Sequence, residues 1–244
     1  MLFVHGNVGI ATKGAFARVE PAKVHALLSS IEHRYADEHD AANSHLHATG
    51  RRGETHATDH PDHAASATPV ETLHEGKWLR MLRRGRWEYA ERTHGNGMAV
   101  IIIAVTPEDQ IIFVEQFRIP LQARTIEMPA GLVGDQAGED TLEDAARREL
   151  EEETGWYPDQ VQVLLVGPTS SGMSNERIAY VRATGLRKVG EGGGVDGEDI
   201  IVHEVPVAEA PAWLMQKQRE GYELDLKLWG GLWMVDRNPD GSPA

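Results

Sequence analysis

The longest uninterrupted apolar run in this chain, Met98 to Val105 (Met-Ala-Val-Ile-Ile-Ile-Ala-Val), is eight residues long. That is the length of a strand and far short of the roughly 18–20 residues that cross a bilayer. Apolar residues make up 41% of the 244, enough to bury a core, and they come in short pieces that have to be packed against one another. Strand patterns are read near 86–94, 98–105, 111–117, 160–166, 177–183 and 200–205. Pro107-Glu-Asp-Gln110 supplies a turn between two of them. Helical spacing fits Thr141 to Thr154, Val207 to about Glu220, and Glu223 to Met234. Strands flanking a central helix, with more helix at the end, predict a mixed α/β sandwich.

This texture begins only near Val70. Ten of the 12 histidines fall in the first 74 residues, and seven lie between His33 and Pro69, among Ala, Asp, Thr, Ser and Gly. Too few large apolar side chains are present there to offset the entropy of ordering the backbone, so residues 1–69 are expected to form an unordered extension. Val24, Leu27, Leu28 and Ile31 predict one short amphipathic helix within about 21–34. His45, His47, His56, His60 and His63 are able to bind a soft divalent metal, although a solvated His-rich linker is the simpler reading.

Several classes of function are excluded by composition. The chain has no cysteine, which rules out disulfide scaffolds, Cys-based zinc sites and a Cys nucleophile. A formal net charge of −14 argues against nucleic acid and anionic membranes as partners. The surplus belongs to the second part, because residues 1–70 carry six basic and eight acidic side chains and residues 71–244 carry 18 and 30. Met1 to Ala17 is interrupted by His5, Asn7 and Lys13 and makes a poor secretory signal, so a soluble, cytoplasmic protein is expected. An acidic protein still binds phosphates when a cation sits between them.

The chemistry concentrates in Glu127-Met-Pro-Ala-Gly131, a turn with Gly134 and Gly138, and the segment from Thr141 to Trp156. Thr141 can cap a helix that Gly155 ends in the left-handed conformation. Glu149 and Glu153 are four apart and Glu152 is three from Glu149, which gathers three carboxylates at the last turn. There they repel one another and face the negative end of the helix dipole. A divalent cation converts that repulsion into coordination, and Arg148 stands one turn before Glu152 to orient it. A bare acidic run is more commonly a solvated helix face; the wider spacing decides against that.

Gly134, five residues, Asp140, seven residues, Arg148-Glu149-Leu150, one residue, Glu152-Glu153, one residue, Gly155-Trp156 resembles the Nudix hydrolase box, with seven of nine defined positions matched outright. Asp140 departs from the family's usual Glu, and Gly131 also looks like the box-opening glycine, which leaves the alignment of the turn open. The resemblance implies an α+β fold, a Nudix α/β/α sandwich with a mixed central sheet and a small N-terminal β subdomain. It implies Mg2+ (or Mn2+) held by Glu149, Glu152, Glu153 and the backbone carbonyl of Ala130, and hydrolysis of a diphosphate. Hard oxygens suit such an ion, which neutralises phosphate charge and acidifies water.

The flanking segments resemble those of ADP-ribose and nucleoside-diphosphate-sugar pyrophosphatases. Val114-Glu-Gln-Phe-Arg118 and Ile126-Glu-Met-Pro-Ala-Gly131 look like the strand pair before the box. There Arg118 is implied to contact substrate phosphate, with Glu127 beside it; the alternative for Arg118 is a strand-end salt bridge with Glu127. Ser170-Ser-Gly-Met-Ser-Asn-Glu176 is similar to the family's mobile loop, which makes Glu176 a general base or further metal ligand beside Glu152 and Arg148 in the catalytic set. A proline associated with ADP-ribose preference is replaced by Ser171, with Pro168 out of register, which leaves other nucleoside diphosphate sugars open. Residues 70–97 resemble a β subdomain that commonly exchanges in a homodimer, where Trp87 or Trp78 can stack on a base or be buried structurally. The implied plan is an extension at 1–69, that subdomain at 70–97, the hydrolase domain at 98–236 and a flexible tail at 237–244. A nucleoside triphosphate pyrophosphatase and a non-catalytic nucleotide sensor remain as alternatives.

Overall fold

The computed structural model describes the backbone of residues 2–4, 7–12 and 15–19, and residues 67–94, 97–134, 140–195 and 197–244. The helix expected within 21–34 and His45, His47, His56, His60 and His63 lie outside the described residues. The chain divides into two units, Met1–His60 and Pro61–Ala244.

In the first unit β1 (Leu2–Val4), β2 (Asn7–Thr12) and β3 (Ala15–Val19) form an antiparallel sheet in that order. These strands lie within the stretch expected from the sequence to form an extension without regular structure. The end pairs of the two ladders are Val4↔Asn7 and Thr12↔Ala15. In the register of β2 and β3, Val8 lies opposite Val19 and Ile10 opposite Ala17.

The second unit opens with a meander of β4 (Glu71–Glu75), β5 (Leu79–Arg84) and β6 (Trp87–Arg92). It docks on its own chain through Ala90, whose N–H donates to Met173 O at 2.8 Å. Next come β7 (Met98–Ala104), β8 (Gln110–Arg118), β9 (Ala123–Glu127), β10 (Ala130–Leu132) and helix α1 (Leu142–Thr154). Beyond the helix lie β11 (Trp156–Tyr157), β12 (Gln160–Pro168), β13 (Arg177–Thr184), β14 (Arg187–Lys188) and β15 (Ile201–Pro206). The chain closes with α2 (Ala210–Arg219), β16 (Glu223–Leu224) and α3 (Lys227–Trp233).

Two mixed sheets carry the unit, ordered β10-β7-β13-β12 and β15-β8-β9-β16. In the first, β7 pairs parallel with β13 and antiparallel with β10; in the second, β9 pairs antiparallel with β8 and parallel with β16. The apolar run found first in the sequence is β7, buried on both faces. Val100, Ile102 and Ala104 pack with Ala145, Ala146 and Leu150 of α1. Ile101 and Ile103 face a second core with Phe113, Ile126, Leu214 of α2 and Leu228 of α3. Alternate side chains of a strand leave opposite faces, so one continuous apolar strand serves two layers. The expected sandwich with helices on both sides is therefore present.

Two boundaries differ from the sequence reading. The last helix begins at Lys227, because Glu223 and Leu224 pair in parallel with Thr125 and Ile126. Residues 237–244 are tied down, since Arg182 donates to the carbonyls of Met234 and Arg237 at 2.9 and 2.6 Å and Ala244 N–H donates to Asp236 O at 3.0 Å. A buried guanidinium needs such acceptors, and the tail supplies one of them through Arg237. Among the described residues no helix is long and apolar enough to cross a membrane.

Candidate active site

Helix α1 starts on Thr141, whose Oγ1 accepts from Asp144 N–H at 3.1 Å, and carries Glu143 and Asp144 in its first turn, where the dipole favours acids. Its last turn has no basic residue. The carbonyls left open there are taken up by a glycine-rich segment: Gly193 N–H donates to Glu153 O at 2.8 Å and Gly194 N–H to Glu152 O at 3.0 Å. Lys188 Nζ reaches Thr154 O at 2.9 Å and places a cation at the negative end. Gly192 has φ of +73°, and a Cβ on it would stand 2.4 Å from the Thr154 carbonyl carbon. The close approach and the backbone conformation both call for glycine.

Arg148 organises the outer side of the helix. It donates to Glu149 at 2.7 Å, to Asp140 at 3.3 Å and to Leu132 O at 3.2 Å, and it lies 3.6 Å from Glu152. Asp140 therefore still reaches Arg148 although it is one methylene shorter than the Glu usual in the box. The two glycines of the preceding turn have separate tasks. Gly134 adopts φ of +81°, whereas a Cβ on Gly131 would lie 1.8 Å from Glu149 Cδ. Gly131 is thus the glycine over which the helix carboxylate lies.

These elements enclose a cleft of about 360 Å3 that brings together Glu149, Glu153, Ala130, Arg118, Glu127 and Glu176. Glu153 is 5% exposed and accepts from Ala130 N–H at 3.1 Å. Burial pushes its carboxyl well above the usual range; the Ala130 bond opposes this, and Glu149, Glu198 and Glu127 reinforce it. Glu149 is also raised by burial, with Arg148 opposing and Glu152 and Glu198 adding to the rise. Arg118 donates through Nε and Nη2 to both oxygens of Glu127, at 2.7 and 2.6 Å, so the salt bridge expected as its alternative role is formed at the cleft wall. Burial opposes ionisation of Glu127, but Arg118 and Thr125 prevail and hold it below the usual range. Glu176 accepts from Arg92 Nε at 2.7 Å.

The structure does not bring three of the residues expected at the site, Glu152, Arg148 and Trp87, into the cleft. Glu152 faces the flank of the helix with Arg147, Arg148 and Glu151, because successive helical residues are rotated by about 100° and the cleft lies on the Glu149–Glu153 side. The expected gathering of three carboxylates is in fact two, with the third linked through Arg148. Trp87 stands on β6 in a separate groove with Tyr89, Ser171 and Ser174. Other cleft residues were not apparent in the sequence: Glu198, Arg92, Asp225 and Lys227. For Glu198 the available signal was the run Gly190-Glu-Gly-Gly-Gly194 just upstream, which docks on the helix end and carries the acid into the cleft.

The donor set fits a divalent ion. Glu153 is buried and Glu149 half-buried, and the charge of each carboxylate is penalised by burial and by the other, a penalty that a hard cation offsets. Among the described residues, no three acidic or imidazole groups already surround one point at ligand spacing, since Glu153 is turned to Ala130 and Glu149 to Arg148.

The model of the NUDIX domain matches residues 95–224, more than half of the chain and the whole of this cleft's helix and turn. The chain belongs to the NUDIX family. Among relatives of this Nudix protein, a methanol dehydrogenase activator of Bacillus methanolicus is 38% identical over 49% of this chain and 64% of its own length. An ADP-ribose pyrophosphatase of Bacillus subtilis (strain 168) is 37% identical over 51% of this chain and 65% of its own. In both, the match spans less than two thirds of the relative. A crystal structure of an ADP compounds hydrolase shares the fold, with a TM-score of 0.54 at 18% identity over 68% of this chain and 89% of that one.

Proposed function

We propose that this Nudix protein hydrolyses the pyrophosphate bond of ADP-ribose or a related nucleoside diphosphate sugar, giving a nucleoside monophosphate and a sugar phosphate. The observation that carries the reading is the pairing, in one cleft, of Glu149 and Glu153 on one wall with Arg118 on the other. The likeness to the ADP-ribose pyrophosphatase of Bacillus subtilis supports the substrate class, whereas that to the methanol dehydrogenase activator of Bacillus methanolicus does not specify a substrate.

Glu149, Glu153 and the Ala130 carbonyl would hold Mg2+ or Mn2+, with Glu152 supporting them through Arg148. When bound, the ion neutralises charge on the phosphates and acidifies the attacking water. The protein's own side chains do the rest. Arg118, fixed in direction by Glu127, meets a phosphate oxygen as a planar donor. Glu176 accepts the proton of the attacking water, and Arg92 holds it at the cleft. Glu198 is the other carboxylate off the helix that is suited to this task. Glu176→Gln is expected to lower kcat more than Glu198→Gln, and the reverse order transfers the role to Glu198.

In the same reading the protein works as a cytoplasmic homodimer, with Trp87 of one protomer against the base bound by the other, and with neither nucleic acid nor membrane as partner. Incubation with Mg2+ and a panel of nucleoside diphosphate sugars and nucleoside triphosphates, followed by phosphorus NMR, tests the activity. Two phosphomonoesters are the expected products. Inorganic pyrophosphate makes the protein a triphosphate pyrophosphatase instead, and recovery of every substrate intact overturns catalysis.

A further inference from the structure

Behind the cleft wall lies a second chamber of about 330 Å3. Arg118, Glu127, Asp225 and Lys227 line both spaces, so two ion pairs form the partition between them. Arg118 grips Glu127 as described, and Lys227 Nζ lies 2.5 Å from Asp225 Oδ2. The second pair is fixed from behind. Asp225 N–H donates to Ile126 O at 3.1 Å, Asp225 Oδ1 accepts Lys227 N–H at 2.9 Å, and the half-buried Tyr180 hydroxyl donates to Lys227 O at 2.7 Å. A salt bridge held in this way keeps its geometry while a ligand exchanges around it.

Beyond the partition the chamber changes character. Pro120, Leu121 and Leu224 give it an apolar side, and Glu223 with Asp225 gives it carboxylate acceptors. No aromatic ring lines it among the described residues, so it lacks the stacking surface that a nucleobase uses. A sugar presents C–H faces to apolar side chains and hydroxyl donors to carboxylates, which is the combination found here. We infer that this chamber receives the sugar attached to the distal phosphate, and that the Asp225–Lys227 pair selects which sugar is cleaved. The inference rests on the pyrophosphatase reading above.

Three substrates with the same base and different distal groups test it: ADP-ribose, ADP-glucose and the methyl ester of ADP on its β-phosphate. In Asp225→Asn the acceptor for Lys227 N–H is retained while the ion pair is lost. The ratio of kcat/KM for either sugar substrate to that for the methyl ester is expected to fall by about tenfold or more, the usual size of a lost polar contact in a selective site. Leu121 is 59% exposed on the turn before β9, and Leu121→Trp narrows the chamber without touching either ion pair. It is expected to lower turnover of ADP-glucose more than that of ADP-ribose and to leave the methyl ester unchanged, with an unaltered melting curve. Equal loss on all three substrates in both variants overturns the inference while the pyrophosphatase reading stands. Failure of the unsubstituted protein to cleave any of the three overturns both. If Asp225→Asn does not fold, Leu121→Trp decides alone.

Discussion

Gly131 is a position where a single atom separates a working site from a blocked one. The Cβ of alanine would overlap the Glu149 carboxyl, so Gly131→Ala has to displace Glu149 or the β10 backbone. Turnover is expected to fall about 100-fold, the order of loss for a misplacement near 1 Å, and circular dichroism should show the fold retained. Glu153→Gln probes the neighbouring group. Its amide oxygen can still accept from Ala130 N–H, while the buried charge is removed. Turnover should be abolished, and without metal the variant should melt at or above the parent's temperature. A lower melting point would mean that the charge stabilises the fold. Tyr180 offers a test of pH dependence: burial and nearby Asp225 push its hydroxyl up to about 12, against about 10 in an unfolded chain. The folded state then binds the extra proton between those values, so its contribution to stability is complete below pH 10 and is lost as pH rises toward 12. Alkaline unfolding of Tyr180→Phe, compared with the parent, should show a shallower loss over that interval.

At the scale of elements, helix α1 is the part that joins fold and site. Its buried side holds Ala145, Ala146 and Leu150 against β7, and its other side ends in the carboxylates. Leu150 is fully buried, so Leu150→Ala should cost about 2–5 kcal/mol of stability by denaturant melt. The helix end depends equally on glycine. Gly155 has φ of +71°, and a Cβ there would stand 2.1 Å from Gly190 O. Gly155→Ala should therefore loosen the glycine-rich segment as well as the cap, which hydrogen exchange would register as faster exchange at Gly193 and Gly194. The helix itself was legible from Thr141, its apolar spacing and Gly155. The segment that closes its end was not, because the bonds from Gly193 and Gly194 join residues about 40 positions apart and leave no periodic trace.

For the whole molecule, the division into Met1–His60 and Pro61–Ala244 has a direct consequence. Both cores, the cleft and the second chamber are built within the second unit. A chain lacking residues 1–60 should therefore unfold in one cooperative transition near that of the full chain and keep the same kcat. Light scattering of both chains reads the proposed homodimer, and chelation by EDTA followed by added Mg2+ should remove and restore turnover. Trp87 lies outside the cleft of its own chain, so the role proposed for it against the base would require a partner.

The sequence by itself determined the apolar strand at the centre of the sandwich, the ends of α1 and the spacing that marks the Nudix box, since each depends on residues within a few turns of one another. It also located the acid surplus in the second part of the chain. The tertiary structure alone decided which of those acids face one another. It turned Glu152 aside, brought in Glu198 from a loop, paired Arg118 with Glu127 and set Asp225–Lys227 as the wall of a second chamber. The physical reason is range: periodicity and capping are local, whereas burial, ion pairing and the shape of a cavity arise only where distant segments meet.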